Sequence, residues 1–275
     1  MNSLNINGQL IPLTSPVTMG ILNVTPDSFF SGSRVQEMDA ILSTAEEMIS
    51  AGATFLDVGG YSSRPGAEDI PEEEELRRTK HVVHELAQTF PGALLSIDTF
   101  RSGVASAAIE AGAHIINDIS GGHLDPKMHA LAGSLKVPYI GMHMRGRPQN
   151  MKELTDYDDL VRDVSRYFAE MVDSLHQHGV HDVILDPGFG FAKTATQSFN
   201  LLDSLEYFHV FQLPILVGLS RKSMIYKTLD KTPDNALNGT TVLNTVALQK
   251  GASILRVHDV AEAMEAIELV NRLGK

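Results

Sequence analysis

The 275-residue sequence contains no cysteine. That absence excludes disulfides, thiolate nucleophiles and cysteine-ligated zinc or iron–sulfur sites, and it is compatible with the cytosol, where the protein is expected to act. Basic residues are missing from the start of the chain, since none precedes Arg34. The charged n-region of a secretory signal is therefore lacking, and the early stretch is too rich in Asn, Ser and Pro for an apolar spanning helix, so the mature protein is expected to begin near Met1. Positive charge is scarce throughout: Lys+Arg 22 against Asp+Glu 34 gives a net charge of −12. Such a chain repels nucleic-acid backbones and anionic lipid unless its basic residues are gathered in one place, and neither partner is expected. At 43% hydrophobic and 20% charged residues the composition is that of a globular protein, and it excludes disordered, collagen-like and disulfide-scaffold classes.

What the sequence does contain is a repeat of short apolar runs, at 17–24, 54–58, 94–97, 114–119, 138–142, 183–185, 215–219 and 254–257. Each is of strand length and is followed by polar or Gly-rich residues. Between them lie segments of helical period, such as Met38, Ile41, Leu42, Ala45, Met48 and Ile49, or Leu160, Val164, Phe168, Met171 and Leu175. Eight strand–loop–helix units in this length predict one (β/α)8 TIM barrel over residues 1–275; a doubly wound open sheet has fewer strands and a change of composition between halves. Residues 1–14 carry Asn7-Gly8 between short alternating arms, which predicts a β-hairpin closing the bottom of the barrel.

In this fold the active site is built at the C-terminal ends of the strands. Those ends supply Asn23, Asp57 with Gly59-Gly60, Asp98, Asn117-Asp118, Met142-His143, Asp186, Ser220-Arg221-Lys222, and Arg256 with His258. Any one of them can equally serve as a turn or cap, and Asp186-Pro187-Gly188 is a strong turn signal in its own right. Several familiar motifs fail. Gly188-Phe189-Gly190 lacks the third Gly of a dinucleotide fingerprint, Pro187 and Ala192 replace the Walker A glycines, and Gln88 stands where a zincin after His84-Glu85 needs its second His. The acidic run 72–75 after Pro71, and Asp158-Asp159 with Asp163, read as first turns of helices. Against the net charge, Arg64, Arg221, Lys222, Arg256 and His258 fall on the same face and predict a positive basin for an anionic substrate. Asp98, Asn117 and Asp186 share that face and suit a flat, nitrogen-rich ring.

Taken together, the strand-end motifs resemble those of the dihydropteroate synthase family. The resemblance rests on the stretch from Met19-Gly20-Ile21-Leu22-Asn23 to Pro26-Asp27-Ser28-Phe29, on Ser63-Arg64-Pro65-Gly66-Ala67, Ser96-Ile97-Asp98-Thr99 and Ile116-Asn117-Asp118-Ile119-Ser120-Gly121-Gly122, and on Asp186-Pro187-Gly188-Phe189-Gly190-Phe191, Gly218-Leu219-Ser220-Arg221-Lys222-Ser223 and Arg256-Val257-His258-Asp259. It implies a transferase of folate biosynthesis that condenses 6-hydroxymethyl-7,8-dihydropterin pyrophosphate with para-aminobenzoate, assisted by Mg²⁺, in a cytoplasmic homodimer of a class targeted by sulfonamides. It assigns the pterin to Asp98, Asn117, Met142, Asp186, Phe191, Gly218 and Lys222. It assigns the pyrophosphate to Asn23, Arg64, Arg256 and His258, with Asn23 on the metal, and para-aminobenzoate to Phe29, Pro65, Lys222 and Ser223. The catalytic set so implied is Asn23, Arg64, Asp98, Lys222, Arg256 and His258.

The chain departs from the family pattern at Ser31 and Ser33, where Asp and Gly are usual, at Tyr61 in place of Glu, and at Ser63 in place of Thr; these loops close over the substrates in the family. Two other readings share the pterin pocket. One is a barrel that passes the methyl group of methyltetrahydrofolate to a corrinoid protein, which needs neither a pyrophosphate basin nor the loops around Phe29 and Arg64. The other is a non-catalytic pterin-binding paralogue, against which Asn23, Arg256 and His258 count.

Overall fold

The structure is a computed structural model that describes residues 3–24, 34–63 and 69–273. Two short strands, β1 (Ser3–Ile6) and β2 (Gln9–Pro12), pair antiparallel with Ile6 opposite Gln9. The two-residue connection is Asn7-Gly8, with φ of 51° and 81°. Positive φ at both central positions is what a type I′ turn requires, and the Asn5 side chain fastens it by accepting from the Gly8 N–H at 3.0 Å.

Eight parallel strands follow: β3 (Val17–Asn23), β4 (Phe55–Gly59), β5 (Leu94–Asp98), β6 (Ile115–Asp118), β7 (Tyr139–Met142), β8 (Val183–Asp186), β9 (Leu216–Val217) and β10 (Ile254–Val257). Their spatial order is β8-β7-β6-β5-β4-β3-β10-β9. The two ends of that sheet meet at a single bridge between Leu185 and Ile215, which brings it round as a barrel. Helices α1 (Arg34–Ser50), α2 (Glu72–Thr89), α3 (Ser102–Ala111), α4 (Met128–Leu135), α5 (Leu160–Gln177) and α6 (Ala195–Asp203) return the chain after the first six barrel strands. The short α7 (Ser223–Tyr226) and then α8 (Leu237–Gln249) follow β9, and α9 (Val260–Arg272) follows β10. All eight sequence runs are strands, displaced by one residue at most at their starts and two at their ends. The acidic run 72–75 opens α2 directly after Pro71, and Asp159 caps α5 by accepting from the Arg162 N–H.

Side chains alternate between the two faces of each strand, so the barrel sorts its residues by parity. Leu22, Leu56, Val58, Leu95, Ile97, Ile116, Leu185, Val217 and Leu255 face outward and pack under the helices with residues such as Val164, Phe168 and Leu175 of α5. Met19, Phe55, Ile115, Ile140, Ile184, Leu216 and Ile254 form a separate inner cluster, and the hairpin's Leu4 and Ile6 join it with Leu13. Asn5 ties the hairpin to the barrel, its N–H donating to Asp182 at 2.9 Å. Leu4 is 1% exposed, so Leu4→Ala should cost about 2–5 kcal/mol through lost burial and the cavity left behind. Urea unfolding of the variant is the measurement, with an unshifted midpoint indicating that the hairpin lends the barrel no stability.

Candidate active site

Counting upward in twos from the apolar floor gives the next inner layer as Ile21, Asp57, Ser96, Asn117, Met142, Asp186, Gly218 and Arg256, and the layer above it as Asn23, Gly59, Asp98, Ser220 and His258. The floor is hydrocarbon; the layers above it are mostly polar. Asp57, Asn117 and Asp186 are all buried there. Arg256 bridges two carboxylates, its Nε donating to Asp57 Oδ2 and its Nη2 to Asp98 Oδ2, both at 2.6 Å. Asn117 Nδ2 donates to the same Asp57 oxygen at 2.9 Å. Gly59 keeps the upper layer narrow: a Cβ there would lie 3.5 Å from Asp98 Oδ2 and 3.8 Å from Asn23 Oδ1. Asn23 and Asp98 thus stand side by side at the mouth.

Across the barrel, Asp186 Oδ1 accepts from the Gly188 N–H at 2.7 Å. Gly188 has φ of 69°, and a Cβ on it would come within 2.2 Å of the His143 carbonyl oxygen, so the turn after β8 needs glycine on both counts. Lys222 follows β9, donates to the Phe189 carbonyl, and holds its ammonium 4.8 Å from the centre of the Phe191 ring. A Cβ at Gly218 would lie 4.0 Å from Lys222 Nζ and 3.9 Å from Arg256 Cβ. With only hydrogen at that position, no side chain of residue 218 fills the slot beside Lys222 Nζ and Arg256 Cβ. Met142 and Phe191 belong to an apolar cluster at this end that also holds Tyr61, Phe100, Ile119 and Met144. Ser223 opens α7 next to Lys222 and is exposed.

Burial sets the protonation of this site. The Asp98 carboxyl is pushed up to about 7 by desolvation, a shift that the Arg256 charge opposes and the neighbouring Asp57 reinforces. Burial also raises Asp186, against the pull of Lys222. Lys222 is brought down to about 8 because desolvation and Arg256 outweigh Asp186. His258 Nδ1 lies 2.9 Å from Ser220 Oγ, which also accepts from the His258 backbone N–H at 3.2 Å.

Known proteins share this architecture and these motifs. A model of the pterin binding enzyme family matches residues 19–258. The dihydropteroate synthase of Escherichia coli strain K12 is 43% identical over 265 residues, covering 96% of this chain and 93% of that protein. That of Synechocystis is 45% identical over 252 residues, covering 90% and 86%. The crystal structure of Yersinia pestis dihydropteroate synthase in a sulfonamide drug complex superposes with a TM-score of 0.93 at 42% identity, covering 99% of each chain. The chain belongs to the dihydropteroate synthase family. Its members are transferases of folate synthesis, and this barrel has the fold and the length of the synthase throughout.

Of the residues that the synthase resemblance selects, Asn23, Asp98, Asn117, Met142, Asp186, Gly218, Lys222, Arg256 and His258 converge on the upper barrel. Phe29, Arg64 and Pro65, with Ser31 and Ser33, lie outside the described residues. The expected positive basin is smaller than the sequence suggests. Arg221 is turned to Asp259, which it grips through Nε at 3.1 Å and Nη2 at 2.6 Å, with Asp234 at 3.9 Å. A strand-end cation with an acidic neighbour in space is neutralised there, and that neighbour cannot be read from its place in the chain.

Sequence reasoning also missed three side chains. Asp57 was visible as a strand end, and two-residue counting from Phe55 puts it in the layer of Asn117. Lys193 is buried, with Nζ 2.9 Å from His143 Nδ1 and donating to the carbonyls of Gly188 and Phe191 at 3.0 Å, so it holds the turn that carries Asp186. Glu75 is more than an acidic first-turn residue: it is fully buried and accepts from Thr99 at 2.6 Å and Arg101 at 2.7 Å. Arg101 in turn donates to the Ile70 carbonyl at 2.7 Å. Tyr61, where the family usually has Glu, donates to Asp69 at 3.2 Å and accepts from Gln149 at 2.7 Å, so the second loop is fastened at both ends.

The raised Asp98 carboxyl gives a pH signature with a definite sign. The folded state holds this proton more tightly than the unfolded chain, where the group titrates near about 3.9. Its contribution to stability is complete below that value and is lost as pH rises toward about 7. Asp98→Asn should therefore flatten the fall in stability across this window, as read from urea midpoints at several pH values. An unchanged slope would place the Asp98 carboxyl in its ordinary range.

Proposed function

We propose that the upper barrel binds 6-hydroxymethyl-7,8-dihydropterin pyrophosphate and para-aminobenzoate and joins them into 7,8-dihydropteroate. The observation that carries this reading is the inner layer itself, which puts Asp186, Asn117 and Arg256 at one level of the barrel with the side-chain-free Gly218, beside Lys222. A pterin edge offers paired N–H donors and a carbonyl acceptor, which suit a carboxylate, an amide and an ammonium. Asp186 anchors the amino-pyrimidinone edge, Asn117 and Asp98 take the remaining ring polar groups, and Met142 and Phe191 cover the faces. The diphosphate lies toward the mouth, where Asn23 and His258 occupy the upper layer and Arg256 reaches up from the layer below; Arg64 joins them from the second loop. Phe29, Pro65, Lys222 and Ser223 border the aryl amine.

In the reaction the aryl amine forms a C–N bond to the exocyclic pterin carbon, the C–O bond to pyrophosphate breaks with its electron pair on the leaving oxygen, and the amine gives up a proton. His258 and Arg256 face the departing anion, and Arg256 offsets its charge. Lys222, with its depressed basicity, holds the ring beside the attacking nitrogen. No covalent enzyme intermediate is needed.

Mg²⁺ is expected from the family. Among the described residues no group of three or more His, Asp or Glu side chains could form a metal cage. The Asn23 amide oxygen beside Asp98 is a hard donor, and it fits an ion held mainly by phosphate oxygens and water, the usual habit of Mg²⁺. When bound, the ion would supply neutralisation of the leaving diphosphate.

We further propose a single-domain homodimer acting in the cytoplasm. No helix among the described residues is long and apolar enough to cross a membrane. Val242 on α8 and Leu229 beyond α7 are exposed apolar side chains available to a second copy, which sedimentation equilibrium would detect.

Mixing both substrates with Mg²⁺ should release pyrophosphate only when para-aminobenzoate is present. Binding of pterin without release would identify a non-catalytic paralogue instead. Asp186→Ala should fold yet lose roughly 2–4 kcal/mol of pterin binding, the scale of a charge-assisted pair in a desolvated pocket. Calorimetric titration of the pterin decides it, and unchanged affinity in the folded variant removes Asp186 from the anchor role.

A further inference from the structure

The residue at the centre of the inner layer is one that the family pattern gave no role. Asp57 is wholly buried on β4, in register with Ile21 on β3 and Ser96 on β5. Its Oδ2 accepts from two directions: from Asn117 on β6 at 2.9 Å and from Arg256 on β10 at 2.6 Å. Each donor is two strands away, on opposite sides of β4. One oxygen atom therefore ties together two of the side chains that border the ring slot. We infer that Asp57 is a positioning residue that fixes which way the Asn117 amide and the Arg256 guanidinium point, and so sets the donor and acceptor pattern offered to the pterin.

The argument for Asn117 is one of polarity. A carboxamide donates at one end and accepts at the other. With Nδ2 committed to a carboxylate, a flipped amide would place its oxygen against another acceptor, so Asn117 is held with its carbonyl directed elsewhere. For Arg256, the edge formed by Nε and Nη2 is bound by Asp57 and Asp98 together. The plane of the guanidinium is then fixed, and donation to a ligand falls to Nη1 and the second proton of Nη2.

Stability alone does not account for this carboxylate. Asp57 Oδ1 is buried with no hydrogen-bond partner, as is the Ser96 Oγ opposite it in register. Unpaired buried polar atoms cost stability, and an ionised oxygen costs more than a neutral one. In Asp57→Asn the amide oxygen takes the place of Oδ2 and still accepts from both donors, while a neutral N–H₂ group replaces the unpaired Oδ1. Folding should then be as favourable or more so, although the charge that orients the site is gone. A residue that tightens ligand binding at a cost in stability has a signature distinct from one that merely packs.

This inference rests on the pterin reading, and its test separates the two. Wild-type, Asp57→Asn and Asp57→Ala proteins are compared for thermal midpoint, calorimetric affinity for 6-hydroxymethylpterin, and KM for each substrate. Asp57→Ala should weaken the pterin roughly 10- to 100-fold while the KM for para-aminobenzoate at saturating pterin stays within about twofold. Asp57→Asn should lie between it and wild type, with a midpoint equal to or above that of wild type. The Asn117 side-chain amide, assigned by its loss in Asn117→Ala, should show slow, downfield NMR protons in wild type that Asp57→Ala abolishes. Wild-type pterin affinity in both Asp57 variants would overturn the inference, as would equal losses for both substrates accompanied by a lowered midpoint. Should Asp57→Ala fail to fold, weaker pterin binding by Asp57→Asn at an undiminished midpoint supports it, and undiminished binding overturns it. Failure of the wild-type protein to bind pterin at all would count against the functional reading, while the Asn117 amide signal would still report on Asp57.

Discussion

Eight parallel strands wrapped into a barrel leave an interior that only every second residue can enter, and nearly everything particular to this protein follows from that restriction. Three residues stacked on one strand, such as Ile254, Arg256 and His258, occupy floor, slot and mouth in turn. The floor must be hydrocarbon, because it is sealed by the hairpin and offers no water to a polar group. The slot above it holds Asp57, Asn117 and Arg256, joined through Asp57 Oδ2, and Asp186, which accepts from the Gly188 N–H. The outward parity of the same strands has no such freedom and is almost wholly aliphatic, since the helices cover it.

Burial and charge are balanced within the slot by contact. Asp57, Asp98 and Asp186 stand among Arg256, Lys222 and Lys193, so a chain of strong negative charge has a local cluster in which cations and carboxylates alternate. Arg256 is held by Asp57 and Asp98 at 2.6 Å each, while Asp186, Lys222 and Lys193 are held by main-chain groups of the turn after β8. Removing a charge costs far more here than at a surface pair where its partner is left alone, but Arg256 is paired twice and keeps Asp98 when Asp57 is neutralised. This explains how a protein of net charge −12 can present an anion-tolerant mouth: the acidic excess lies outside, and the interior is close to neutral.

Much of the architecture was legible in the sequence because it is periodic. The eight runs, the hairpin at Asn7-Gly8 and the helix starts at Pro71 and Asp159 all rest on local patterns that the folded chain preserves. The converging site residues were legible for a different reason, that motifs in a fixed order identify a family. What could not be read was partnership. Arg221 and Arg256 are both strand-end arginines, yet one is spent on Asp259 at the rim while the other spans two carboxylates inside. Glu75 looked like a fourth acidic residue in a helical first turn, but its position one turn into α2 aims it at Thr99 and Arg101. Counting in twos places Asp57, but its partners Asn117 and Arg256, like the His143 partner of Lys193, lie far away along the chain, and no spacing rule reports on those.

The barrel is not equally well sewn all the way round. Seven of its junctions are continuous ladders, but β8 and β9 touch at only one bridge, and β9 is two residues long. Asp186 ends one side of that seam, while Gly218 and Lys222 follow the other. The seam is the junction with the fewest main-chain bonds, and Asp186 and Lys222 follow from its two sides. The polar groups of the upper barrel thus gather over the junction that its own main chain secures least, and what holds β8 to β9 there is side-chain packing rather than a ladder.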